Sequence, residues 1–90
     1  SNIIDVGYTN TYKERGKKMF DYEVWYEGNC VAEDNCFEDE YEAMEDAYET
    51  VKAKMEEWEY DCEQAVFLIK LKCDGSLLDE IDGVELEASL

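Results

Sequence analysis

The sequence predicts an α+β protein: an antiparallel sheet of about five strands with one long amphipathic helix packed on one face, two layers in the order β-β-β-α-β-β. Three observations lead there. Apolar and polar residues alternate at period two on both sides of the chain's middle. The middle itself repeats its apolar residues every three or four positions. Turn pairs such as Asp74-Gly75 punctuate the alternating stretches. Ninety residues suffice for one domain, 1–90, and no Pro, low-complexity run or repeat marks a linker.

The first strand runs from Ile3 to Tyr12, with Ile4, Val6, Tyr8 and Tyr12 on one side. Lys13-Glu14-Arg15-Gly16-Lys17-Lys18 follows as a charged, solvated turn. Phe20, Tyr22, Val24 and Tyr26 then alternate with Asp21, Glu23, Trp25 and Glu27, a half-buried strand with Trp25 on its solvent side. There Trp25 is either a candidate apolar anchor for a partner or is covered by the N-terminal strand or the C-terminal segment. Gly28-Asn29 suits the positive φ angles of a tight hairpin, and Cys30 to Ala32 returns as a short strand.

In the middle, Phe37, Tyr41, Met44, Tyr48, Val51, Met55, Trp58 and Cys62 recur at spacings that alternate between four and three. All therefore fall on one stripe of a helix. Asp39 as N-cap with Glu42 three residues on spells a capping box. The stripe's aromatics and methionines suit a sheet better than a narrow two-helix seam, and two acidic helices side by side would repel. Val66 to Cys73 is the next strand, with Phe67, Ile69, Leu71 and Cys73 on one face. Asp74-Gly75 turns it into Leu77 to Ile81, and Asp82-Gly83 turns again before Val84-Glu85-Leu86-Glu87, which alternates.

The charge is the strongest compositional signal. Twenty-five acids stand against 8 bases, a formal net charge of −17. Such a field excludes direct nucleic-acid binding, which needs a positive footprint. With 46 % hydrophobic residues the chain is no disordered acidic tail. No apolar run approaches the ~18 residues of a membrane span, and no secretory leader is recognised, so a cytoplasmic protein is expected. The charge is also uneven. Residues 33–63 hold fourteen acids and two bases, whereas residues 1–32 are near balance. Several acids there stand at i,i+4, among them Glu38 with Glu42 and Glu45 with Glu49, and each such pair costs a helix ~0.2–0.5 kcal/mol. A helix selected for stability alone would mix its signs.

Catalytic chemistry finds few footholds. Without any His there is no Ser-His-Asp or Cys-His pairing, and no Gly-rich phosphate loop occurs. Asp74-Gly75 and Asp82-Gly83 lack the remaining ligands of a Ca²⁺ loop. The four cysteines, at 30, 36, 62 and 73, form no Cys-x-x-Cys pair, so no metal and no cofactor is expected. A helix over 38–62, ~35 Å long, holds Cys36 and Cys62 too far apart to bond. Cys30 with Cys73 is the one plausible bridge, if their strands are neighbours.

A non-enzymatic binding protein follows. Carboxylates on successive helical turns repeat at ~5–6 Å, on the scale of phosphates along a strand, so a site built to grip phosphates can grip them instead. The face expected to do this is Glu38, Glu42, Glu45, Asp46, Glu49, Glu56 and Glu59, and the partner is a basic nucleic-acid-binding protein. The chain itself is expected to be a monomer or weak homodimer. In size, charge and absence of catalytic residues it is similar to the DNA-mimic inhibitors of phages and mobile elements, the anti-restriction and anti-CRISPR proteins. The similarity lies in profile and carries no site residues across. The alternative is an accessory subunit or interaction module whose acidity serves only solubility.

Overall fold

Alternation in the segment Phe20–Tyr26 (β1) turns Tyr22 and Val24 inward, where they are 2 % and 0 % exposed. A computed structural model describes residues 18–90. The expected strand Ile3–Tyr12 and the basic turn, Lys18 excepted, lie outside the described residues. After β1 come β2 (Asn29–Phe37), the helix α1 (Glu40–Glu57), a 3₁₀ turn (Gln64–Val66), β3 (Phe67–Cys73), β4 (Ser76–Asp82) and a second, short helix α2 (Gly83–Ala88). The described strands form one antiparallel sheet in the order β2-β1-β3-β4. The α+β class and the long helix agree with the sequence reading. Among the described residues there are four strands against about five expected, and one of the expected strands, Ile3–Tyr12, lies outside them. β1 has β2 on one edge and β3 on the other, which leaves it no edge for a further strand.

Both hairpins turn on paired left-handed residues. At Asp74 and Gly75 (φ 52° and 85°) the turn stands where the Asp-Gly pair predicts it. The first turn is one residue earlier than Gly28-Asn29: Glu27 and Gly28 take φ 49° and 84°, and Asn29 already pairs with Tyr26. β2 also extends well past Ala32, to Phe37. It is an edge strand, and its exposed Glu33, Asp34, Asn35 and Cys36 show no apolar alternation because no layer covers them.

The helix corrects the predicted stripe. Phe37 belongs to β2 and stacks on Tyr22, with 5.8 Å between centroids, while Cys62 lies beyond the helix. The residues of α1 in the core are Ala43, Ala47 and Val51; Met44, Tyr48 and Met55 are half-buried and Tyr41 is 45 % exposed. Small side chains let the helix backbone approach the sheet, and the larger ones fill the flank. Asp39 is the N-cap residue, but its side chain makes no capping bond, so the expected box with Glu42 does not form. At the far end Trp58 stacks on Phe67 at 5.7 Å and meets the edge of Tyr26 at 5.3 Å, closing one end of the core with aromatic rings.

The alternation after Asp82 is helical, not extended. Asp82 Oδ1 accepts the Glu85 backbone N–H at 2.7 Å as an N-cap, and Leu86 is fully buried in the core. Gly83 packs so close that a Cβ there would lie 2.3 Å from the Gln64 carbonyl oxygen. Gln64 in turn donates from Nε2 to Gly83 O (3.0 Å) and to Glu87 Oε1 (2.8 Å), which anchors α2 beside the 3₁₀ turn.

Candidate partner-binding surface

Helical geometry sorts the seven predicted acids. At ~100° per residue, Glu42, Glu45, Glu49 and Glu56 all fall within ~40° of the point opposite Ala47, the centre of the buried line. All four are exposed and form a ridge that rises ~21 Å along the helix axis. Glu49 has a cation, Lys52, at 3.4 Å, but both side chains are more than half exposed and such a pair contributes little. Among the described residues Glu42, Glu45 and Glu56 make no ion pair.

The other three acids stand elsewhere. Asp46 is on the flank, half-buried, and its Oδ2 accepts the Tyr22 hydroxyl at 2.6 Å; Thr50 Oγ1 lies 2.8 Å from the same hydroxyl. This carboxylate ties α1 to β1 and is not free for a partner. Burial first, and then Asp46, hold the Tyr22 phenol well above its ordinary value. Glu38 is exposed but precedes the helix, next to Phe37. Glu59 follows the helix in a left-handed conformation (φ 55°), where the chain has left the α1 axis.

Next to the ridge is an open groove of about 420 Å³. Among the described residues it is lined by Glu42, Glu45, Asp46 and Glu49 together with Phe37, Tyr48 and Leu90. Three predicted ridge acids thus meet around an aromatic floor. The helical stripe places Phe37 and Tyr48 in the core and Leu90 carries no sequence signal, so the groove's apolar part is not legible in the sequence. Glu56 borders a second cavity of about 230 Å³ with Tyr48, Lys52, Met55, Tyr60 and Gln64.

Trp25 is on the sheet's other face. It is half-buried: the Lys70 ammonium sits 4.4 Å from its ring centroid, and its indole N–H donates to Glu23 Oε1 at 2.9 Å. The C-terminal helix, expected as one of its covers, is instead on the core side with Leu86. Glu23 also holds Lys72 at 2.8 Å. The Lys72 bond, then the Trp25 bond, lower the Glu23 carboxyl below its ordinary range, and the Lys72 ammonium is raised in return.

All four cysteines are free. The Cys30–Cys73 bridge fails because β1 lies between their strands, with Cys30 level with Trp25 and Cys73 level with Phe20. Among the described residues no three His, Cys, Asp or Glu side chains are grouped to hold a metal, and no helix is long and apolar enough to cross a membrane. What the surface offers chemically is fixed negative charge at helical spacing beside an aromatic groove. No protein-family model, no curated protein and no solved structure matches the chain.

Proposed function

We propose that this protein acts by stoichiometric binding, its acidic helix face imitating a nucleic-acid backbone and occluding the basic site of a DNA- or RNA-binding protein. The observation that carries the reading is the ridge Glu42, Glu45, Glu49 and Glu56, which faces water opposite the helix's buried line. A solvated helix of ordinary design alternates its signs at i,i+4; among the described residues this ridge has one ion-paired cation, Lys52. Uncompensated carboxylates repel one another, and a surface rich in lysine and arginine relieves that repulsion on contact. Association is therefore steered over long range and weakened by salt. The groove's Phe37 and Tyr48 add apolar area beside the charges, a common arrangement at interface centres.

The reading is tested by capture from source-cell lysate with the tagged full chain, repeated with excess duplex DNA and at raised salt. A basic nucleic-acid-binding protein retained on the chain, and released by both DNA and salt, is the expected result. Retention indifferent to both, or no retention, overturns it and leaves acidity as a solubility feature.

A further inference from the structure

We propose that β2 is a docking edge for an extended, cation-bearing segment of the partner, which adds to the sheet as a further strand. The inference rests on the preceding reading for the partner's basic character and names the element by which it is gripped.

The backbone comes first. Among the described residues β2 has a neighbour on one side only, so alternate residues of its regular part present N–H and C=O outward, while the Asn35 N–H donates to Asp34 Oδ1 at 2.8 Å and Cys36 is left-handed. Register shifts against β1 bracket a regular central stretch, in which Ala32, Glu33 and Asp34 pair with Val24, Glu23 and Tyr22. That three-residue stretch is the template.

The side chains come second. β2 has neither of the residues that most often close an edge, lysine and proline. Its centre carries Glu33 and Asp34 instead, both exposed and on opposite faces of the strand. Glu33 stands directly opposite Glu23, a like-charge pair, while Glu23 has two cations near it, Lys70 opposite it on β3 and Lys72 at 2.8 Å, and Lys72 acts on Glu33 as well. Two β2 edges laid together would bring still more carboxylates into register. A strand with lysine or arginine opposite Glu33 and Asp34 gives these exposed carboxylates cations of their own at the open edge. The residues that oppose self-pairing thus select a strand of opposite sign.

Position comes third. Phe37, the last residue of β2, also lines the groove beside Glu42 and Glu45. A segment laid along β2 is delivered to the end of the acidic ridge, so edge and ridge form one continuous surface.

The test is an NMR titration of the full chain with three nine-residue peptides. One alternates lysine and valine, the second is its twin N-methylated at every second amide, and the third alternates glutamate and valine. Amide hydrogen exchange is measured alongside. The lysine peptide is expected to shift β2 resonances and to protect outward amides around Ala32–Asp34. The methylated twin, equal in charge, is expected to bind at least about tenfold more weakly, because it forfeits backbone hydrogen bonds. The glutamate peptide is expected not to bind, and the Glu33→Lys/Asp34→Lys variant to reverse the preference between the two charges. Equal binding by the methylated twin, shifts confined to α1, or no binding by the lysine peptide overturns strand addition. None of these results touches the ridge, whose failure is read separately as unchanged target affinity after its charges are reversed.

Discussion

The inner line of α1, Ala43, Ala47 and Val51, is buried against the sheet, while the outer line, Glu42, Glu45, Glu49 and Glu56, faces water about half a turn away. The inner line is chosen for size: its short side chains set how closely helix and sheet approach. The outer line is chosen for sign and is indifferent to shape. Substitutions on the inner side should therefore change stability and leave binding to follow passively. Substitutions on the outer side should change binding and leave stability nearly where it was. The two lines separate the question of what holds the fold from the question of what the fold presents.

The largest effect is expected beneath α1, where Leu86 of α2 fills the core. Leu86→Ala should destabilise the protein by about 2–5 kcal/mol, read by chemical denaturation, through lost burial and the cavity left behind. Ala47→Leu comes next. Added methylenes at this fully buried position on the helix's inner line should cost about 1–3 kcal/mol; a neutral result would mean that size is not what selects the inner line.

Tyr22→Phe probes the junction between the lines, because it removes the bond to Asp46 and should cost about 1–2 kcal/mol at neutral pH. This contribution has a pH signature. The folded phenol titrates above its ordinary 10.0, so its stabilisation is complete below that pH and declines as pH rises beyond it. The stability difference between wild type and Tyr22→Phe should shrink correspondingly in alkali. A difference that stays constant above pH 10 would mean that neither burial nor the Asp46 bond holds the folded phenol protonated. Smallest of all is the stability effect of Glu42→Lys/Glu45→Lys/Glu49→Lys. Reversing three ridge charges should shift stability by less than about 1 kcal/mol, since no core contact is lost and some like-charge repulsion is relieved.

How far the sequence could be read depended on what covers each element. β1 and β3 are legible because the sheet buries one face, with Tyr22, Val24, Phe67, Ile69 and Leu71 at every second position, whereas β4, which buries no residue, is legible from the Asp74-Gly75 turn before it. β2 was read short because an edge strand is held by backbone pairing, which leaves little mark on side-chain pattern. In α1 the period was right and the phase was not. Hydrophobicity ranks Tyr41 and Met44 above Ala43 and Ala47, but close approach to a sheet favours the small residues. α2 escaped because six residues are too few to display a helical period, and Val84 with Leu86 imitates a strand. Its signal was Asp82 with Glu85 three residues on, a cap pattern already used at Asp39.

The candidate surface divides in the same way. Glu42, Glu45, Glu49 and Glu56 follow from helical spacing alone. Asp46 does not separate from them in sequence, because the tyrosine that engages it is 24 residues away. The groove's Leu90 comes from the opposite end of the chain, a juxtaposition only tertiary structure provides.

One measurement tests the central claim most directly: the affinity of the captured basic protein for wild type and for Glu42→Lys/Glu45→Lys/Glu49→Lys, each titrated across a range of salt. The account predicts that the variant, still folded by circular dichroism, binds at least about a hundredfold more weakly at low salt, with a flatter salt dependence. Equal affinity and an unchanged salt slope would contradict it, and the ridge would then be solvated surface alone.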